Sequence, residues 1–170
     1  AEGFTPTLGA VLSFNHYYNS ESTFDGGVLE YSLNGTDYVD ILDGTGAIPS
    51  NPGRMTQNGY NSTMTGEGPL SGRPGWSGNS STFVLTEVNL DDFAGQQIFV
   101  RWRFACDGSV DGLGWYIDDI TVQTQLDCES GGTSCGDFNL LASTWRDEID
   151  IRDLVSCVNL QSNPGKKEQR

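Results

Sequence analysis

The stretch Gly114 to Val122, GWYIDDITV, constrains the fold more than any other part of this chain. Side chains of a β-strand alternate between two faces. Trp115 and Ile117 share one parity, while Ile120 and Val122, equally apolar, share the other. One core can take all four only if the phase slips once, at Asp118-Asp119. A β-bulge makes such a slip, because one extra residue shifts the alternation and re-aims its neighbours. Two adjacent carboxylates at a kink are candidates for holding a cation.

The rest of the chain reads as strands punctuated by turns. From Gly9 to Tyr18, Leu12, Phe14, His16 and Tyr18 alternate with Val11, Ser13, Asn15 and Tyr17, which predicts a strand with one inward face. Turn formers at 19–27 place Glu21 and Asp25 in a loop. Val28–Ser32 and Tyr38–Leu42 flank the turn signal Asn34-Gly35. Further strands are expected at 82–90 and 98–105, joined by a tight connection through NLDDFAG that ends at a glycine. The loop 106–114, with Asp107 and Asp111 in two Asp-Gly units, reads as a hairpin with two turns. It lacks the third ligand and terminal glutamate of an EF-hand.

Residues 44–82 differ, with abundant glycine, four of the six prolines and no sustained period. Loops of this length in compact domains are usually functional or packed by their own side chains. Tyr60, Arg73 and Trp76 are the candidates there for ligand binding. An aromatic among glycines serves either as a sugar-stacking platform or, the preferred reading, as a plug over a sheet edge.

Charge narrows the partners. A net charge of −14 with nine cationic residues excludes a nucleic-acid partner, since neutralising phosphates requires a basic face. Carboxylate excess on this scale favours a divalent cation, and calcium is the hard cation that oxygen ligands suit. No 18-residue apolar run is present, so membrane insertion is not expected. The four cysteines, Cys106, Cys128, Cys135 and Cys157, match no common zinc spacing. Disulfides in an extracellular setting are the expectation, with all three pairings open.

Catalysis finds little support. The single histidine, His16, shares its parity with Leu12 and Phe14, which suits a satisfied histidine at a sheet edge better than a general base. Glycoside hydrolysis by Glu21 and Asp119 is the remaining enzymatic option. Arg101 and Arg103 share a strand face and are expected to pair with acids of the adjacent strand.

These patterns predict an all-β fold, an antiparallel two-sheet jelly-roll sandwich in which the long first strand pairs with the last. That pairing is expected to bring Glu21 and Asp25 near Asp118 and Asp119. The segments LSFNHYYNSESTFDGGVLEYSLNG, GRPGWSG and FVLTEVNLDDFAGQQIFVRWRFACDGSVDGLGWYIDDITV resemble, over residues 8–124, the MAM-like jelly-roll modules of secreted bacterial proteins, notably immune inhibitor A-type and other extracellular metallopeptidases. The resemblance implies a structural calcium close to the first and last strands. Position by position, its acids fall on Asp25, Asp118 and Asp119; Glu21 joins them by loop proximity, and Gly27 offers a backbone carbonyl.

Beyond residue 125 the pattern changes. Ile151, Leu154, Val155 and Val158 share one helical face. The segment Cys135–Leu160 is similar to half of a dockerin repeat, with Asp137, Asn139 and Asp153 as a weak second metal set. The expected organisation is therefore a sandwich over 1–125, a disulfide-tied helical appendage over 126–160 and a flexible tail over 161–170. Function is expected to be that of a non-catalytic, calcium-stabilised accessory module, monomeric and secreted, serving a catalytic domain of its parent protein and binding glycan, protein or a cell surface. The alternative is a pure spacer or folding-assistance domain.

Overall fold

A computed structural model of the chain describes residues 2–123. The expected appendage and tail, with Asp137, Asn139 and Asp153, lie outside the described residues. The described part is all β apart from one short 3-10 turn at Asp91–Phe93. Its strands are β1 (Val11–Asn19), β2 (Gly26–Ser32), β3 (Val39–Asp40), β4 (Met55–Gln57), β5 (Ser62–Thr63), β6 (Pro74–Gly75), β7 (Val84–Asn89), β8 (Phe99–Ala105) and β9 (Gly114–Gln123).

One sheet has the order β4-β7-β1-β9, a second β3-β2-β8, and β5-β6 form a small ribbon. Every pairing between these strands is antiparallel. β1 alternates as its sequence dictates: Leu12, Phe14, His16 and Tyr18 are buried and their neighbours only partly so. These side chains meet Leu29 and Tyr31 of β2, and Trp115, Ile117, Ile120 and Val122 of β9 pack against the same core.

The first and last strands pair as expected, from Val11 opposite Gln123 to Asn19 opposite Gly114. The slip also falls where the apolar parity changes. Ser13 faces Thr121 and Asn15 faces Asp118, so two steps on β1 span three on β9. Asp119 takes a left-handed φ of 51° at the extra residue. Both apolar pairs of β9 thereby reach one core.

One expectation is corrected. Loop 106–113 is no hairpin: it leaves β8 in one sheet and enters β9 in the other. Strand β2 is buried throughout. Its outer side is covered by the glycine-rich segment, where Met64 and Leu70 pack on Val28. The long aperiodic stretch is thus a lid over one sheet, and its lack of period reflects packing by irregular backbone.

Candidate functional site

The five residues expected to share a cation occupy two places. Asp118 and Asp119 sit at the bulge, partway along β9, and both are exposed. Asp118 Oδ1 accepts the backbone N–H of Asp119 at 2.8 Å, and Asp119 Oδ2 accepts Asn15 Nδ2 at 3.1 Å. The carboxylates therefore serve the bulge itself, bonding the backbone and the strand beside it.

Glu21 and Asp25 lie beyond Asn19, the end of β1 that faces Gly114. A turn binds them, with the Asp25 N–H donating to the Glu21 carbonyl at 3.0 Å. Asp25 is 1% exposed, and its Oδ1 accepts the backbone N–H of Asp107 at 2.9 Å. Its carbonyl accepts the Ser77 hydroxyl at 2.6 Å. The hydroxyl of Ser109 lies 2.9 Å from Asp107 Oδ1 and 3.2 Å from Glu21 Oε2. Burial, with the nearby charges of Asp107 and Glu21, pushes the Asp25 carboxyl up from its ordinary value. The acid that meets Asp25 is thus Asp107, from the loop whose two Asp-Gly units predict a hairpin with two turns.

Gly27 is paired with Trp76 through both of its backbone groups. Its N–H donates to the Trp76 carbonyl and its own carbonyl accepts the Trp76 N–H, each at 2.9 Å. A Cβ on Gly27 would stand 2.5 Å from Cε3 and Cζ3 of Trp115, and one on Gly26 would stand 2.7 Å from the Trp76 carbonyl oxygen. The paired glycines admit an indole and a backbone at close range. Calcium takes six to eight oxygens, and no group of three or more His, Cys, Asp or Glu side chains among the described residues could hold a metal ion. The five expected ligands thus stand as two separate pairs of acids and one backbone contact.

The candidate ligand platform lies inside the fold. Trp76 is 1% exposed, and its Nε1 donates to the carbonyls of Asn58 and Gly59 at 3.1 and 3.0 Å. Phe14 and Tyr60 meet its ring edge-on, at centroid distances of 5.8 and 4.7 Å. Tyr60 places its hydroxyl 3.0 Å from both the N–H and the carbonyl of Leu29, and about as close to Asp40. Arg73 bonds Glu30 and Asp40, and Glu30 also takes Arg101 at 2.6 Å from the facing position of β8. The expected pairing of Arg101 and Arg103 with an adjacent acid holds, since both reach Glu30. Trp76 presents no free ring face to a sugar, and Tyr60 is half-buried at its edge.

His16 is fully buried. Its Nδ1 lies 3.0 Å from Trp115 Nε1, which can only donate, so Nδ1 accepts. Nε2 therefore carries the proton and donates to Thr86 Oγ1 at 2.9 Å, and the Thr86 hydroxyl in turn donates to the Asn58 carbonyl. Burial holds the imidazole neutral, pushing its pKa down to about 4. With both ring nitrogens committed inside the core, His16 has nothing left for a substrate.

Sequence reasoning overlooked Arg54, which is fully buried. It bonds the carbonyls of Ile41 and Pro49 and the carboxylate of Asp92, with its guanidinium 4.5 Å from the Phe93 ring centroid. No period marks it, because its partners come from irregular connections, its own between β3 and β4 and the one between β7 and β8. No family model matches this chain, and no curated protein or solved structure matches it. Fold and site define it as an all-β, sandwich-like domain whose polar residues mainly hold connections to sheets.

Proposed function

We propose that this chain is a non-catalytic accessory module of a secreted multidomain protein, folded as a jelly roll and contributing structure to its parent. The observation that carries this reading is the burial of Trp76 within the core, together with Tyr60 at its edge. The aromatic residues that could have formed a sugar platform hold the long glycine-rich segment against the sheets instead. His16, the one candidate base, is bonded at both nitrogens. No described helix is long and apolar enough to cross a membrane. The resemblance to MAM-like modules supports the jelly-roll topology, secretion and a peptidase parent.

The test is direct. The full chain is titrated calorimetrically with neutral and acidic oligosaccharides and incubated with chromogenic glycosides, esters and peptides. No binding heat and no turnover are expected. Turnover lost in His16→Asn, or binding heat lost in Trp76→Phe, would overturn the reading. The calcium that the resemblance implies is decided separately, by the Tm in calcium and in chelator. A rise of several degrees that disappears in Asp25→Asn would add the ion to this reading, and an unchanged Tm would remove it.

A further inference from the structure

On the outer face of the sheet β4-β7-β1-β9, strand register sets the side chains in rows. Tyr17 of β1 meets Tyr116 of β9 at a ring-centroid distance of 5.9 Å, and Phe83, just before β7, meets Tyr17 from the other side at 6.0 Å. Phe83 is 51% exposed and both tyrosines are half-buried, so three rings form one accessible row across three strands. The next row is Leu85, Asn15 and Asp118, and the one after it Glu87, Ser13 and Thr121. Asp119, at the bulge, joins the second row by accepting Asn15 Nδ2.

Glu87, Asp118 and Asp119 stand beside the aromatic row with no cation to balance them. The four strands of this sheet contain no arginine or lysine. Residues 2–123 hold four arginines and no lysine, and all four are engaged elsewhere, Arg54 on Asp92 and Arg73, Arg101 and Arg103 on Glu30. Asp118 and Asp119 are exposed, and each spends one oxygen on the bulge, Asp118 on the Asp119 N–H and Asp119 on Asn15. Among the described residues nothing bonds the second oxygen of either, and nothing bonds the Glu87 carboxylate.

The rings favour coverage, because apolar surface gains by leaving water. The acids beside them decide the chemistry of the cover. A neutral partner would bury carboxylates unpaired, which is costly. A second copy would set the same acids against one another, and an anionic surface would be repelled. A partner that brings cations satisfies both halves of the face. Arginine suits it better than lysine, since a planar guanidinium both stacks on a tyrosine ring and forks a carboxylate. Tyr116 and Asp118 lie two residues apart on β9, about 7 Å, so one arginine side chain can cross the ring and end on the acid. Glu87 lies about 13 Å along the chain from Phe83, at the reach of a second arginine.

We propose that this face docks a basic, arginine-bearing protein segment: one arginine lies across the Tyr17–Tyr116 pair and ends on Asp118 and Asp119, and a second ends on Glu87. The inference goes beyond the functional reading, which concerns oligosaccharides and turnover and stands unchanged if the face takes no such segment.

The probe is a capped peptide of three arginines separated by glycines, with a lysine counterpart. Each is added to the isotope-labelled full chain at physiological ionic strength, and backbone amide chemical shifts are followed. Saturable shifts are expected at 13–17, 83–87 and 116–121, with weaker binding of the lysine peptide. Asp118→Asn combined with Glu87→Gln keeps an oxygen for the Asp119 N–H and should weaken the arginine peptide about fivefold or more. Asp37→Asn combined with Glu67→Gln removes the same charge from exposed positions outside this sheet and should change binding by less than about twofold. Equal losses from the two double variants, or shifts spread over the other acidic loops, would reduce the effect to diffuse charge and overturn the proposal. Absence of saturable shifts, or a lysine peptide that binds as tightly, would overturn it as well. Concentration-dependent shifts of the same residues without peptide would assign the face to a second copy, and cross-relaxation between the Tyr116 ring and residues 124–170 would assign it to the chain itself; either result overturns the proposal.

Discussion

The indole N–H of Trp115 donates to Nδ1 of His16 across the pair formed by the first and last strands, at 3.0 Å. A donor at that nitrogen leaves no room for a second proton, so the bond and the neutral imidazole stand or fall together. The pH dependence of stability follows. The folded pKa of about 4 lies below the unfolded value of 6.5. The contribution of His16 is fully present above pH 6.5 and is lost as pH falls from there through 4, because the unfolded chain binds the proton first. The loss comes to about 3 kcal/mol. Urea unfolding from pH 7 to 4, compared with His16→Gln, should show wild type losing stability more steeply; parallel curves would refute the neutral buried imidazole.

Gly27→Ala tests the close approach of Trp115. The added methyl would have to displace an indole that is itself packed against Trp76 at 5.6 Å between centroids. Overpacking of this kind costs about 1–3 kcal/mol. A lower urea midpoint with an unchanged m-value is expected, and a midpoint equal to wild type would show that the ring moves freely.

Asp119 separates a backbone role from a metal role. Its left-handed φ suits glycine better than any side chain, so Asp119→Gly should be neutral or stabilising by up to about 1 kcal/mol. Deleting Asp119 should abolish cooperative folding, because removing the extra residue turns either Trp115 and Ile117 or Ile120 and Val122 out of the core. Thermal denaturation followed by circular dichroism distinguishes the two variants. A deletion that melts like wild type would show that the bulge is dispensable.

Arg54→Met removes a buried guanidinium that joins two connections. The Ile41 and Pro49 carbonyls lose their donor and Asp92 loses its ion pair. Removing one partner of a buried pair costs about 3–5 kcal/mol, and the partial exposure of Asp92 places this case near 3. Hydrogen exchange should quicken in residues 41–54 and 89–94. A stable variant with unchanged exchange would mean that the connections hold without the guanidinium.

Glu30 is nearly buried beneath Arg73, Arg101 and Arg103. Burial alone would raise its carboxyl, but the bonds from Arg73 and Arg101 outweigh it and hold the pKa below its ordinary value. The stability it contributes is present above the unfolded pKa and lost as pH falls through the folded one. Glu30→Gln should therefore be less stable than wild type at pH 7 and should converge with it in acid; a constant difference across that range would exclude the charge as the cause.

The sequence by itself determined the longer strands β1, β2, β7, β8 and β9, the phase slip at Asp118-Asp119 and the pairing of Arg101 with an acid on the next strand. All of these follow from local periodicity, because alternation is imposed by backbone geometry one residue at a time. Tertiary structure decided what no period encodes. It brought Asp107 rather than Asp118 to Asp25, since loop 106–113 crosses between sheets. It made Gly27 a seat for Trp115, and it buried Trp76 and Arg54 under irregular backbone. Contacts between segments that share no pattern depend on how sheets and connections stack, and packing of that kind is settled only when the whole chain has closed on its core.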